Sequence, residues 1–277
     1  MCVSRQYSEV HMKKAILFLS CALLFANPAL SGTKGFLATE NDKVIIQEGD
    51  CKNRHACCST FKIALSLMGY NEGVLENETH PELPFEQGYF DLLDVWKQPH
   101  NPTTWMKNSC VWYSQVLTQK IGMEKFKDYV TKFNYGNMDV SGDEGKDNGL
   151  THSWLSSSLQ ISPEEQIAFL QKLLNQKFPV TPKSCEMTKN ILFVEDLGYG
   201  WKLYGKTGSG YLLNQDGSRN KDRQIGWFVG WVAKGTRTIV FAHYIEDEEK
   251  QDAPAGKRAK ETAIEKLINL IHNNNRG

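Results

Sequence analysis

Ser59-Thr60-Phe61-Lys62-Ile63-Ala64-Leu65-Ser66-Leu67-Met68 is apolar on nearly every side of a helix, so it predicts a helix buried inside the molecule that organises what packs round it. Gly69 follows as a natural stop. Ser59 and Lys62 stand three residues apart and therefore share one helical face, within reach of each other. A hydroxyl beside an amine supplies a nucleophile and a base without any histidine. Far downstream, Lys206-Thr207-Gly208 lies in a segment that alternates like a strand, Trp201 to Gly208.

Outward from that helix, the pattern divides the chain. Phe36-Leu37-Ala38-Thr39 and Val44-Ile45-Ile46 flank Asn41-Asp42 and predict a hairpin. From about 70 to 190 the sequence is helical and loop-like. Ser162-Pro163-Glu164-Glu165 reads as a capped helix start, and Ile167, Leu170, Leu173 and Leu174 follow at helical spacing. After about residue 190 the pattern turns to strands, with Asp216-Gly217 as a turn and Lys234-Gly235 joining Ile225–Val232 to Thr238–Tyr244. Ala259, Ala263, Ile264, Leu267 and Ile271 mark an amphipathic last helix. Strands from both ends with helices between them predict an α+β fold: an antiparallel sheet flanked by helices, with an inserted all-α lobe. A ligand cleft is expected where lobe and sheet meet.

Residues 12–31 read as a secretion signal. Lys13 and Lys14 precede an apolar core from Ala15 to Phe25, Pro28 breaks the run, and Ala29-Leu30-Ser31 offers small residues for cleavage. That core is far below the roughly 20 residues of a bilayer span. Met12 is therefore the expected start, residues 1–31 the leader, and residues 32–277 a single catalytic domain exported to the periplasm without a stable membrane anchor. The whole chain has 32 Lys and Arg against 32 Asp and Glu, a balance that gives no basic face for nucleic acid. Cys51, Cys57, Cys58, Cys110 and Cys185 remain after cleavage. Cys51 could pair with Cys57 or Cys58, or all could be small buried thiols. The seven histidines are scattered singly, so no metal site is expected.

Between the two leading motifs lie Ser109-Cys110-Val111, Tyr135-Gly136-Asn137 and Trp154-Leu155. In this order and context the set resembles the class D, oxacillinase-type serine β-lactamases, over about residues 36–270. The resemblance implies the fold described above and a small-molecule β-lactam substrate; a homodimer is compatible with it. An ordinary lysine, with a pKa near 10.4, holds its proton at neutral pH, and burial can free the amine. The resemblance implies that neutral Lys62 then takes up carbon dioxide as an N-carboxylated lysine, which serves as base for Ser59 and for the deacylating water, with no other cofactor. Val111 and Leu155 would wall the pocket of that group and Trp154 would donate its indole N–H. The backbone N–H groups of Ser59 and Ser209 would form the oxyanion hole. Ser109 with Lys206 would pass a proton to the leaving nitrogen. Thr207 and Gly208 would line the substrate site, Thr207 meeting the drug's carboxylate. Arg258, or its neighbour Lys257, would be the matching cation. Tyr135 and Asn137 would shape the lobe's edge of the cleft. The competing expectation is a penicillin-binding or penicillin-sensing protein that is acylated without turnover. Taken singly, each residue has a plainer role: Ser59 a helix cap, Trp154 core packing, Lys206 and Arg258 surface charges.

Overall fold

In the computed structural model, which describes Met1 and residues 34–273, Asn41 and Asp42 both adopt positive φ, 51° and 61°. Two such residues in succession make the tight turn whose twist suits a hairpin. They join β1 (Lys34–Glu40) to β2 (Lys43–Gly49). The expected leader, residues 12–31, and the start at Met12 lie outside the described residues. On its other edge β1 pairs antiparallel with β8 (Arg237–Glu246), Phe36 opposite His243. The sheet continues through β7 (Arg219–Lys234) and β6 (Trp201–Leu213) to β5 (Phe193–Gly198), in the order β2-β1-β8-β7-β6-β5. The chain's first hairpin thus completes a sheet made otherwise by its last strands.

Both faces of this sheet are covered, and neighbouring residues serve opposite faces. Phe36, Ala38, Phe228, Val232 and Phe241 pack under α8 (Ala255–Asn273), whose Ala255, Ala259, Ala263 and Leu267 recur every fourth residue and are fully buried. Leu37, Trp227, Val229, Val240, Ala242 and Tyr244 join the larger core on the helical side. That side is built from α1 (Lys62–Asn71), α2 (Pro102–Asn108), α3 (Val111–Ile121), α4 (Met123–Phe133), α5 (Gly149–His152), α6 (Pro163–Leu174) and α7 (Pro182–Asn190). α1 lies among α3, α4 and α7, while α6 rests on β1 and β8. The predicted cap of α6 is present: Ser162 Oγ accepts from Glu165 N, Glu165 returns to Ser162 N, and Pro163 takes the first helical position.

Three findings depart from the sequence reading. α1 begins at Lys62, and Ser59 lies in a preceding 3-10 turn, Cys58–Phe61. Gly69 does not end the helix, which runs on to Asn71. A Cβ at Gly69 would stand 2.8 and 2.9 Å from Leu75 carbons, so the glycine admits a close neighbour. A two-residue ladder joins β3 (His55–Ala56) to β4 (Gln160–Ile161), a pairing too short to leave a pattern. All five described cysteines are buried, unpaired thiols. Among the described residues no helix is long and apolar enough to cross a membrane.

Candidate active site

The turn that carries Ser59 is fixed from three sides. Cys58 holds a positive φ of 50° at its start. Thr60 Oγ1 donates to Cys57 O at 2.6 Å and accepts from the buried Gln166 Nε2 at 2.9 Å. Cys57 N donates to Leu159 O at 3.3 Å, continuing the β3–β4 ladder. Because the turn is held this way, the Ser59 hydroxyl is not spent on capping α1. It accepts instead from Lys62 Nζ at 3.3 Å.

Lys62 has no exposed surface. Burial brings its amine from the usual 10.5 down to about 8. The thiols of Cys110, Cys58 and Cys57 would favour the charged amine if ionised. Burial pushes them up, however, to about 11 for Cys110, about 12 for Cys58 and well above the ordinary value for Cys57. They are therefore neutral at pH 7 and give the ammonium nothing to pair with. At a pKa near 8, about a tenth of the amine is neutral at pH 7, against roughly 0.03% for an ordinary lysine.

Trp154 is fully buried beside this turn, its ring 5.7 Å from that of Phe61. Its Nε1–H has no hydrogen-bond partner among the described residues. A buried donor left unpaired costs on the order of 1–3 kcal/mol. The other buried indoles nearby are paired: Trp105 with Ser114 Oγ, Trp112 with Trp96 O, Trp227 with Ala56 O. Trp201 Nε1–H, in the core under α8, is likewise unpartnered among the described residues, and Trp154 is the unpaired indole packed on Phe61, the residue before Lys62. Val111 is buried at the start of α3, and Leu155 packs half-buried on the same core.

Lys206 approaches from β6, 3% exposed. Its amine is held well below the ordinary value, by burial first and by Lys62 second. It donates to Thr207 O at 2.9 Å and to Thr207 Oγ1 at 3.3 Å. Gly208 lets the strand pass close to the turn, since a Cβ there would stand 3.2 Å from Cys58 Cβ and 3.3 Å from Cys57 O. Gly205 N donates to Leu192 O and Tyr211 N to Ser156 Oγ, both off the edge of β6 that faces away from β7. The two-residue period of a strand sends the Ser209 N–H off the same edge. Ser209 Oγ accepts from Gly256 N at 3.0 Å, so the start of α8 braces it.

Ser109 sits half-buried where α2 ends, at a positive φ of 57°. It presents a hydroxyl without a hydrogen bond to Lys206 among the described residues. Asn137 clamps the end of the Trp154 segment: Nδ2 donates to Ser158 O and Oδ1 accepts from Gln160 N. Tyr135 is buried against Phe61, ring centroids 5.0 Å apart. Both are thus held in the structure by packing and by hydrogen bonds to the segment that follows Trp154.

Arg258 is not free to act as the expected ligand cation. Nη1 donates to Asp247 Oδ1 at 3.0 Å, Nη2 donates to Asp247 Oδ2, and Nε donates to Ala253 O at 3.1 Å. Its fork is thus filled by a carboxylate of the protein, beside a concavity that none of the motif residues lines. Lys257 remains largely exposed, with Glu261 at 3.9 Å. Two side chains that sequence reasoning passed over, Gln166 and Ser156, are buried and bonded to the site's frame. The one signal for Gln166 was a polar residue on the buried stripe of α6.

Residues 29–269 match the family described as penicillin binding protein transpeptidase domain. The chain is 42% identical over 231 residues to beta-lactamase OXA-9 of Klebsiella pneumoniae, covering 83% of this chain and 84% of that protein. It is 39% identical over 254 residues to beta-lactamase OXA-1 of Escherichia coli, covering 88% of each. The crystal structure of OXA-427 class D beta-lactamase superposes with a TM-score of 0.82 at 44% identity, over 87% of this chain and 99% of that one. With the sheet, the inserted lobe and the Ser59–Lys62 pair in the matched span, this chain belongs to the penicillin-binding transpeptidase family and, within it, to the class D serine β-lactamases.

Proposed function

We propose that the protein hydrolyses the amide of β-lactam antibiotics through an acyl-enzyme on Ser59, with an N-carboxylated Lys62 as general base, and so confers resistance. The buried Lys62 amine 3.3 Å from Ser59 Oγ carries this reading, and the unpartnered Trp154 Nε1–H supports the modification. Carbon dioxide bound covalently to the amine would supply a carboxylate, which both accepts a proton and takes an indole hydrogen bond. Lys62, Trp154, Val111 and Leu155 would hold it.

In acylation Ser59 Oγ bonds to the lactam carbonyl carbon, the ring C–N bond breaks, and the serine proton leaves towards the Lys62 side chain. The leaving nitrogen receives a proton through Ser109 and Lys206, whose amine burial makes easy to deprotonate. The N–H groups of Ser59 and Ser209 would face the carbonyl oxygen as it gains charge, where one donor is worth about 3–4 kcal/mol. In deacylation a water adds to the ester and Ser59 Oγ leaves with a proton. Thr207 Oγ1 would receive the drug's carboxylate. The leader at residues 12–31 fits export to the periplasm, where these drugs act on the cell wall.

Nitrocefin or oxacillin consumption by the purified protein tests the reading. Many equivalents consumed, with a transient acyl adduct on Ser59 by mass spectrometry, is the expected result. One equivalent consumed followed by silence would mark a penicillin trap and overturn it.

A further inference from the structure

The segment Ser153–Leu159 carries Trp154 and Leu155 on one side of the site, and β6 carries Ser209 on the other. One hydroxyl joins them. Ser156 is 5% exposed and holds a positive φ of 52°, a conformation that favours glycine or asparagine over serine. Its Oγ accepts from Tyr211 N at 3.0 Å. Tyr211 stands two residues beyond Ser209 on the same strand edge, the first backbone donor there after the one aimed at the substrate. The contact is tight. A Cβ at Gly210 would stand 2.3 Å from Ser156 Oγ and 2.6 Å from Cys58 Sγ. The hydroxyl is thus wedged between β6 and the residue before the nucleophile.

Opposite this wedge β6 is irregular. Tyr211 pairs with Gln224, but Leu212 pairs with Asn220, so the ladder to β7 slips immediately after Tyr211. Beyond Tyr211 the strand therefore loses regular support from β7, and past Gly205 it has no β5 beside it, because β5 starts at Phe193 opposite Tyr204. At this point the Ser156 hydroxyl is the acceptor that holds the free edge of the strand.

We propose that Ser156 is a positioning residue for the oxyanion donor of Ser209: its hydroxyl, held against Cys58 and Gly210, fixes the Tyr211 N–H and with it the strand edge that points Ser209 N–H at the reacting carbonyl. The proposal rests on the oxyanion role given above to Ser59 and Ser209. A displaced donor weakens what resembles the transition state and leaves ground-state binding alone.

The test compares Ser156→Gly, which relieves the backbone strain and removes the hydroxyl, with Ser156→Ala, which removes the hydroxyl and keeps the strain. Ser156→Cys keeps the volume with a poor acceptor. The readouts are kcat/KM and KM for benzylpenicillin, and the affinity of a boronic acid that forms a tetrahedral adduct on Ser59. The expected result is that Gly and Ala variants lose kcat/KM and boronate affinity by the same factor, on the order of tenfold, with KM little changed and Cys intermediate. A Ser156→Gly variant with wild-type boronate affinity would overturn the proposal, because the backbone conformation alone would then have been at stake. Unchanged boronate affinity with a weakened carbamate resonance from 13C-bicarbonate would also overturn it, by showing that Ser156 acts through Trp154. Failure of the underlying oxyanion reading looks different: the backbone N–H groups of Ser59 and Ser209 would then gain no protection from hydrogen exchange when the boronate binds the unsubstituted protein.

Discussion

Desolvation of one amine sets the chemistry at the scale of single residues. Lys62 sits at about 8 because burial penalises its charge. Falling pH protonates it, and an ammonium cannot take up carbon dioxide. Activity of the purified protein is therefore expected to fall from pH 8 towards pH 6 and to be restored by added bicarbonate, followed as nitrocefin turnover. Indifference to bicarbonate across that range would count against the modified base. The same shift acts on stability. Between about 8 and 10.5 the unfolded chain binds the extra proton, so this group's contribution to stability rises with pH across that window. Trp154→Phe keeps most of the buried ring and removes the orphan donor. A hydrogen bond to a charged acceptor contributes about 1.5–3 kcal/mol, so the concentration of bicarbonate needed for half-maximal activity is expected to rise about 10-fold to 100-fold. Deacylation should slow more than acylation in stopped-flow traces, and equal slowing of both steps would contradict the assignment.

Among the elements, α1 shows how one residue type can mislead. A glycine in a helix interior costs roughly 0.5–1 kcal/mol relative to alanine, and on that ground Gly69→Ala would stabilise the protein. The Leu75 carbons at 2.8 and 2.9 Å reverse the sign, because overpacking a core costs about 1–3 kcal/mol. A lower urea midpoint for Gly69→Ala, with an unchanged denaturant slope, is the expected outcome; a higher midpoint would show that Leu75 gives way. This is also where the sequence stopped being legible. The Asn41-Asp42 hairpin, the Ser162 cap and the α8 stripe were readable because each is set by residues a few positions apart. The 3-10 turn under Ser59 depends on Gln166, more than a hundred residues away. The β3–β4 ladder is two residues long and has no period. The motifs of the site were readable as spacings and order, but the strut from Ser156 to Tyr211 joins two segments with no motif between them.

For the molecule as a whole, the first two and the last four of the described strands form one sheet, and the start of α8 is where the last described element locks against the site. Gly256 N holds Ser209 Oγ, and two residues on Arg258 grips Asp247, itself 9% exposed. The resemblance made Arg258, or its neighbour Lys257, the ligand cation; the fold makes Arg258 the partner of the Asp247 carboxylate. The two roles predict different losses on Arg258→Ala. A lost ligand contact would raise KM for penicillins and leave stability alone. Breaking this half-buried pair leaves Asp247 without its charged hydrogen bonds, at a cost of about 1.5–3 kcal/mol. A markedly lower thermal midpoint, with KM for benzylpenicillin within a few-fold of the wild type on the folded fraction, is therefore expected. Replacing both partners, Arg258→Met with Asp247→Leu, removes the stranded charge and should recover most of the lost stability, since apolar substitutes for a buried pair are often neutral. A double variant no more stable than Arg258→Ala, or a KM raised tens-fold with an unchanged midpoint, would return the guanidinium to the substrate.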